Sequence, residues 1–563
     1  MDAVLPIILN PDEKAIVRYQ GTSVVIGRSG TGKTTALVYK MRANAQVAEV
    51  SDSTGSMRQL FVTRSPVLTR RVASYYKGLI ESSEIANKSP EELEIMRQLN
   101  QNYQPRDLLE FDNEADLRDD LPDRYSELTG AHFPLFISFD KLGQLLEADA
   151  LGTNDALELA RVRAKRLIDF NTFKNQYWPK FDYNLTRKLD AALVFSEILG
   201  VIKGYGHDLT EGEYLGLSIK KSPLLVNIRR EVYAIYKAYR ERCITRGEAD
   251  SADRVRKILS ARGDGINIGS GVDYLFVDEV QDQLMADIYL LHTLCSNVHG
   301  GYWCGDTAQT INVGSSFRIR DLKSYLYEKM APHANIVLNK FHHKIAAPFS
   351  TFELTVNFRS HSGIVKYAAS LVQILYTLFP GSIDHMQPES APIPGPKPLV
   401  FVSPSWDEGL FLECLLGRRP LGHAPAFGPE QAIIGRCNVL TLFESKGLEF
   451  DDLILYGFFA ESDVSASTWR RIAILESYEE DGTVRFYQPP NTHAISPGLC
   501  SELKQLYVAV TRARHRCWLW DSGSTFEMMK DFWQSLGLVN TSNAMDNLSL
   551  FAGKQFKFEY KAA

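Results

Sequence analysis

One segment constrains the fold more than any other: Gly27-Arg28-Ser29-Gly30-Thr31-Gly32-Lys33-Thr34. A β-branched run, Thr22 to Ile26, leads into it and helix formers follow from Thr35, so the pattern predicts strand, glycine loop and helix in that order. Glycines let a backbone wrap closely around phosphate oxygens, with its N–H groups and the helix N-terminus pointing at negative charge. In such a loop Lys33 would reach the β- and γ-phosphates of a nucleotide, and the Thr34 hydroxyl would join the shell of a Mg2+ ion. A strand and helix joined this way belong in a mostly parallel α/β sheet.

A phosphate loop implies a nucleotide without saying what is done with it. A second segment narrows the chemistry. Tyr274 to Val277 reads as a buried strand and ends in Asp278-Glu279-Val280-Gln281-Asp282. Asp278, at the strand end, is placed to hold the Mg2+, and Glu279 to polarise a water for attack on the γ-phosphate. A kinase must keep that water out, so the second acid points to an ATP hydrolase.

Composition sets the outer limits. The 563 residues suggest about three or four domains. A net charge of −6 excludes a polycation that holds nucleic acid over its whole surface, and leaves room for a local basic groove. At 45% apolar and 23% charged, the chain is ordinary for a globular protein. No run approaches the ~18 apolar residues of a membrane helix, and the N-terminus lacks the basic start of a signal peptide. Seven scattered cysteines, with no CxxC pair and no zinc spacing, read as reduced thiols. The expected location is intracellular, in nucleus or cytoplasm, and not secreted.

Further segments follow in order. They are Gly305-Asp306-Thr307-Ala308-Gln309-Thr310, Asn357-Phe358-Arg359-Ser360, Lys446-Gly447-Leu448-Glu449-Phe450 and Leu506-Tyr507-Val508-Ala509-Val510-Thr511-Arg512-Ala513. With the phosphate loop and the acidic strand end, they resemble the UvrD/Rep-type superfamily 1 helicases over roughly residues 9 to 521. Within that group the similarity is to eukaryotic members, including large proteins with tetratricopeptide and ankyrin repeats.

The resemblance implies a fold and a set of roles. The fold is α/β, with two RecA-like P-loop NTPase domains and a large helical insertion in the first. Gln309 would sense the γ-phosphate, Phe358 stack on adenine, and Glu449 lie near the ribose. Arg359 and Arg512 would be arginine fingers, which neutralise charge on the phosphoryl group only when two domains close. Thr63 and Arg64, after the second strand, and Phe317 and Arg318, past Gln309, would touch a single strand. For Phe317 a core position competes with base stacking, which is worth about 1–3 kcal/mol.

Motif spacing divides the chain. Residues 1–85 carry the phosphate-loop part of the first RecA-like domain, 86–258 a helical insertion, and 259–350 the rest of that domain. Residues 351–522 form a shortened second RecA-like domain with a proline-rich connector at 380–398, and 523–563 a C-terminal tail. An acid-rich run at 107–127 reads as a solvated face. Two runs, at 431–438 and 439–443, leave no room for a crossover helix between them. Glu13 stands where the resemblance places an adenine-reading glutamine, and a carboxylate accepts but does not donate.

The expected activity is an ATP-dependent helicase or translocase of the UvrD-like class on single-stranded nucleic acid, DNA ahead of RNA, with 3′ to 5′ polarity. ATP and Mg2+ are the expected cofactors. No membrane is involved, and the insertion leaves a face for protein partners. The alternative is an ATP-dependent switch or scaffold that binds nucleotide without unwinding, favoured by the shortened second domain.

Overall fold

A computed structural model describes residues 8–50, 57–86, 120–152, 155, 158–159, 161–162, 167–187, 189–204, 207–218, 225–265, 269, 271–311, 317–341, 349–402, 438–480, 483–488, 496–543 and 557–560. Its strands are β1 (Ser23–Gly27), β2 (Gln59–Thr63), β3 (Leu135–Ser138), β4 (Tyr274–Val277), β5 (Gly301–Gly305), β6 (Ser350–Leu354), β7 (Leu399–Val402), β8 (Asn438–Thr441), β9 (Phe450–Tyr456), β10 (Glu476–Glu480), β11 (Thr483–Tyr487), β12 (Ala513–Trp520), β13 (Asn540–Asn543) and β14 (Lys557–Tyr560).

Six of these form a parallel sheet in the order β3-β2-β4-β5-β1-β6. Its central strands are buried along their length, as strands covered on both faces must be. Side chains alternate between two apolar layers. Val24, Leu60, Val62, Leu275, Val277 and Trp303 enter one; Val25, Phe61, Phe276, Tyr302 and Cys304 enter the other. Such strands need crossover connections. Lys33–Val50 supplies the one between β1 and β2.

A second sheet has the order β13-β7-β12-β9-β14-β8, again parallel in every pairing. Its core gathers Tyr367, Leu371 and Leu375 of the helix Ser362–Leu378 with Leu503, Leu506 and Tyr507 of the helix Pro497–Val510. Between β3 and β4, helices built on Phe173, Tyr177, Phe195 and Tyr239 enclose an aromatic core of their own. The described residues are therefore mixed α/β, with two six-stranded parallel sheets and many helices.

Several boundaries differ from those expected. The segment 86–258 is not helical throughout: β3 pairs with β2 and closes one edge of the first sheet. Its four residues, Leu-Phe-Ile-Ser behind Pro134, are too short a run to stand out among helices. β6 pairs with β1, so Ser350–Leu354 belongs to the first sheet rather than to a second domain. The tail from 523 supplies a helix, Ser524–Ser535, and the strands β13 and β14. Residues 380–398 contain no helix and no ladder strand, only a bridge between Ser390 and Val356. Most of the acid-rich run, at 107–119, and the runs before residue 438 lie outside the described residues.

Candidate active site between the two sheets

The phosphate loop leaves β1 at Gly27 and enters its helix at Lys33. Gly30 and Gly32 sit at φ +81° and +89°, which side-chain-bearing residues rarely adopt. A Cβ on Gly32 would come within 2.1 Å of Glu13 Oε1, and one on Gly30 within 2.7 Å of Arg359 Cβ and Asn357 Oδ1. A Cβ on Gly27 would meet Thr31 Oγ1 at 2.4 Å. Lys33 Nζ donates to the loop's own carbonyls, Gly27 O at 2.7 Å and Arg28 O at 2.8 Å. That places a cation inside a ring of backbone, the geometry an anion needs.

Thr34 Oγ1 donates to Asp278 Oδ2 at 2.6 Å, joining the loop to the end of β4. Glu279 follows at φ 51°, ψ 45°, a left-handed conformation costly for a residue with a side chain. Its carboxylate accepts from Gln281 Nε2. Burial, and then the neighbouring Glu279 charge, push Asp278 up to about 6. A divalent cation at Thr34 and Asp278 would relieve that repulsion. The donors fit Mg2+, which is held by one or two carboxylates and completes its shell with phosphate and water. Among the described residues no group of three or more His, Cys, Asp or Glu is placed to hold a metal by itself.

The opposite wall comes from the segment that leads from β6 to the helix Ser362–Leu378 and from the second sheet. Arg359 Nη1 and Arg512 Nη2 both donate to Ser29 Oγ, at 2.7 and 3.0 Å. Arg512 also donates to Gln309 Oε1 at 3.0 Å, and Gln309 Nε2 donates to Asp306 at 2.9 Å. Arg359 pairs with Glu449 at 2.7 Å. Burial raises the Glu449 carboxyl, but Arg359 and then Arg71 hold it below its ordinary range. Phe358 presents an exposed ring and donates its backbone N–H to Gly30 O at 3.0 Å. Ser29 to Thr34, Glu279, Gln309, Phe358, Arg359, Glu449 and Arg512 thus line one cleft of about 440 Å³, with Glu13 at Gly32.

Four expected contacts are corrected. Arg28 turns away from the cleft and is buried behind the loop. Thr63 is 1% exposed. Arg64 is spent on Asp287 and Asp140, with its guanidinium 4.7 Å from the Phe139 ring. Phe317 packs with Leu322 and Tyr325 in the core of the first sheet, so its core reading prevails. Arg318 is half-buried beside it.

Other residues at the site had not been singled out. Asn357 Nδ2 donates to Ser29 O at 2.8 Å, and Tyr507 accepts from Ser29 N at 3.2 Å. Lys446 donates to Asp282 at 2.5 Å and to Gln309 O at 2.9 Å, crossing between the sheets. All three stand inside recognisable segments. Arg71 and Tyr75, on the helix Pro66–Ala86, line the cleft with no sequence signal to mark them.

No family model matches the chain. Over 392 residues, 63% of the chain, it is 31% identical to TPR and ankyrin repeat-containing protein 1 of Homo sapiens, and the match spans 13% of that protein. These findings correct the expected membership of the UvrD/Rep-type helicases. The relative is named for its repeats and not for unwinding, and no helicase family is matched. What stands is a distant similarity to a repeat-containing protein. Among the described residues, no helix is long and apolar enough to cross a membrane.

Proposed function

We propose that the chain is an ATP hydrolase working as a nucleotide-dependent switch, its two parallel sheets acting as RecA-like halves that grip one Mg2+-nucleotide. A single observation carries this reading. Two arginines, Arg359 on the segment joining the first sheet to the helix Ser362–Leu378 and Arg512 immediately before β12 of the second sheet, converge on the Ser29 hydroxyl of a phosphate loop that belongs to the first.

A bound Mg2+-nucleotide supplies the transferable phosphoryl group and the cation that draws charge from it. Lys33 would exchange its carbonyl partners for phosphate oxygens. Thr34 and Asp278 would hold the cation, and Glu279 would orient a water and take its proton. Arg359 and Arg512 would leave Ser29 to neutralise charge as it develops, with Gln309 between Arg512 and Asp306 registering the change. Phe358 would cover the base. Because Arg512 and the loop lie on different sheets, with Arg359 on the segment that joins them, occupancy would fix the spacing of the halves, and protein partners are the expected readers of that spacing.

Translocation along a single strand would need surfaces other than Thr63 and Phe317, which are buried, and Arg64, whose guanidinium is paired with Asp287. Steady-state ATP hydrolysis with and without single-stranded DNA and RNA oligonucleotides separates the two activities. The switch predicts a rate unchanged by either strand. Stimulation of about tenfold or more would overturn it in favour of a motor.

A further inference from the structure

Arg28 occupies a position of the phosphate loop that the G-x4-G-K-S/T pattern leaves unspecified, yet it is 2% exposed and faces away from the nucleotide cleft. Its guanidinium joins three separate segments. Nη1 donates to Asp306 Oδ1 at 2.7 Å, and Nη2 donates to Tyr376 Oη at 2.7 Å and to Asp384 O at 3.0 Å. Tyr376 lies on the helix Ser362–Leu378 of the second sheet. Its hydroxyl donates in turn to Asp384 O at 2.9 Å and accepts from Met386 N at 3.1 Å. Asp384 N donates to Thr307 Oγ1 at 2.8 Å, returning the chain of contacts to the first sheet.

Asp306 is the other hub. Beside Arg28 it receives Gln309 Nε2, the Ala308 backbone N–H at 3.0 Å and the Tyr507 hydroxyl at 3.3 Å. Burial alone would raise its carboxyl, but Arg28 and then Lys33 hold it below its usual range, so the pair is fully charged.

Two sets among the contacts that join the halves differ in place. At the front, Arg359 and Arg512 reach Ser29 from within the cleft, where phosphate oxygens would compete for them. At the back, none of the three partners of Arg28, Asp306, Tyr376 and Asp384, lines the cleft. We propose that Arg28 is a positioning residue, a pivot that pins the rear of the phosphate loop to Tyr376 and the 384–386 stretch while the front contacts exchange. Through Asp306 the same pivot sets where Gln309 meets Arg512. This rests on the ATP hydrolase reading for its kinetic consequence, but not for its structural one.

Tyr376→Phe is the cleanest probe, because it deletes the second-sheet partner and leaves the Arg28–Asp306 pair intact. Hydrogen–deuterium exchange of the full chain, without nucleotide, should show faster exchange both at 384–386 and across the sheets at 27–31. Nucleotide affinity, measured with a fluorescent ATP analogue, should hold within about twofold while kcat falls on the order of tenfold, the mark of lost positioning. Arg28→Lys keeps the charge but not the fork, and should restore neither the protection nor the rate. Unchanged exchange at 27–31 in Tyr376→Phe would overturn the pivot, as would a loss confined to affinity. A wild-type chain without ATPase activity would instead sink the hydrolase reading, and the exchange result would still decide the pivot.

Discussion

Asp278 and Glu279 are adjacent carboxylates at the mouth of a buried strand. Burial and the Glu279 charge raise Asp278 from 3.8 to about 6. In the folded chain the proton is thus favoured. Its stabilising contribution is complete below 3.8 and is lost as pH rises through about 6. Cation binding runs the other way, because a metal needs the carboxylate. Mg2+-dependent nucleotide affinity should therefore rise between pH 5 and 7, and Asp278→Asn should abolish the rise. Titrating a fluorescent nucleotide with and without EDTA across that range measures it. The left-handed backbone at Glu279 could not be read from a sequence, yet it tells the same story. A strained residue persists where packing on either side, here Asp278 and Val280, overdetermines it.

At the scale of elements, the strand–loop–helix around Gly27 was legible because its glycines and β-branched run are local signals. The ends of strands were not, because their partners are distant in sequence. Arg64, two residues past Val62, looked like a nucleic-acid contact. It instead grips Asp287, whose carboxylate also accepts from Leu284 N at 2.8 Å and caps the helix Met285–Leu294. That contact ties the end of β2 to a helix that follows β4. Asp287 is fully buried, so removing Arg64 would strand a charge. Arg64→Ala should cost about 3–5 kcal/mol in urea unfolding. A nucleic-acid role would predict little change in stability and a weakened strand affinity. The short strand β3 escaped for a similar reason, since only its pairing with β2 distinguishes it from the apolar turn of a helix. Phe317 shows the limit of motif carry-over: an aromatic at a stacking position and one in a core read alike until their neighbours are known.

At the scale of the molecule, the described residues place two six-stranded parallel sheets on either side of one cleft, and both contribute charged groups to it. The phosphate loop, Asp278, Glu279 and Gln309 come from the first, Glu449, Lys446 and Arg512 from the second, and Arg359 from the segment that connects them. Their convergence was legible as an ordered series of segments, but the family it suggested was not upheld by comparison, because short segments shared in order do not by themselves fix what surrounds them. The most direct measurement is paired nucleotide binding and single-turnover ATP hydrolysis for the wild-type chain, Lys33→Ala, Glu279→Gln and Arg512→Ala. Lys33→Ala should lose binding. Glu279→Gln and Arg512→Ala should bind ATP within about threefold of wild type while hydrolysis falls by about a hundredfold or more. Hydrolysis at the wild-type rate in Glu279→Gln or Arg512→Ala would contradict a cleft completed from both sheets.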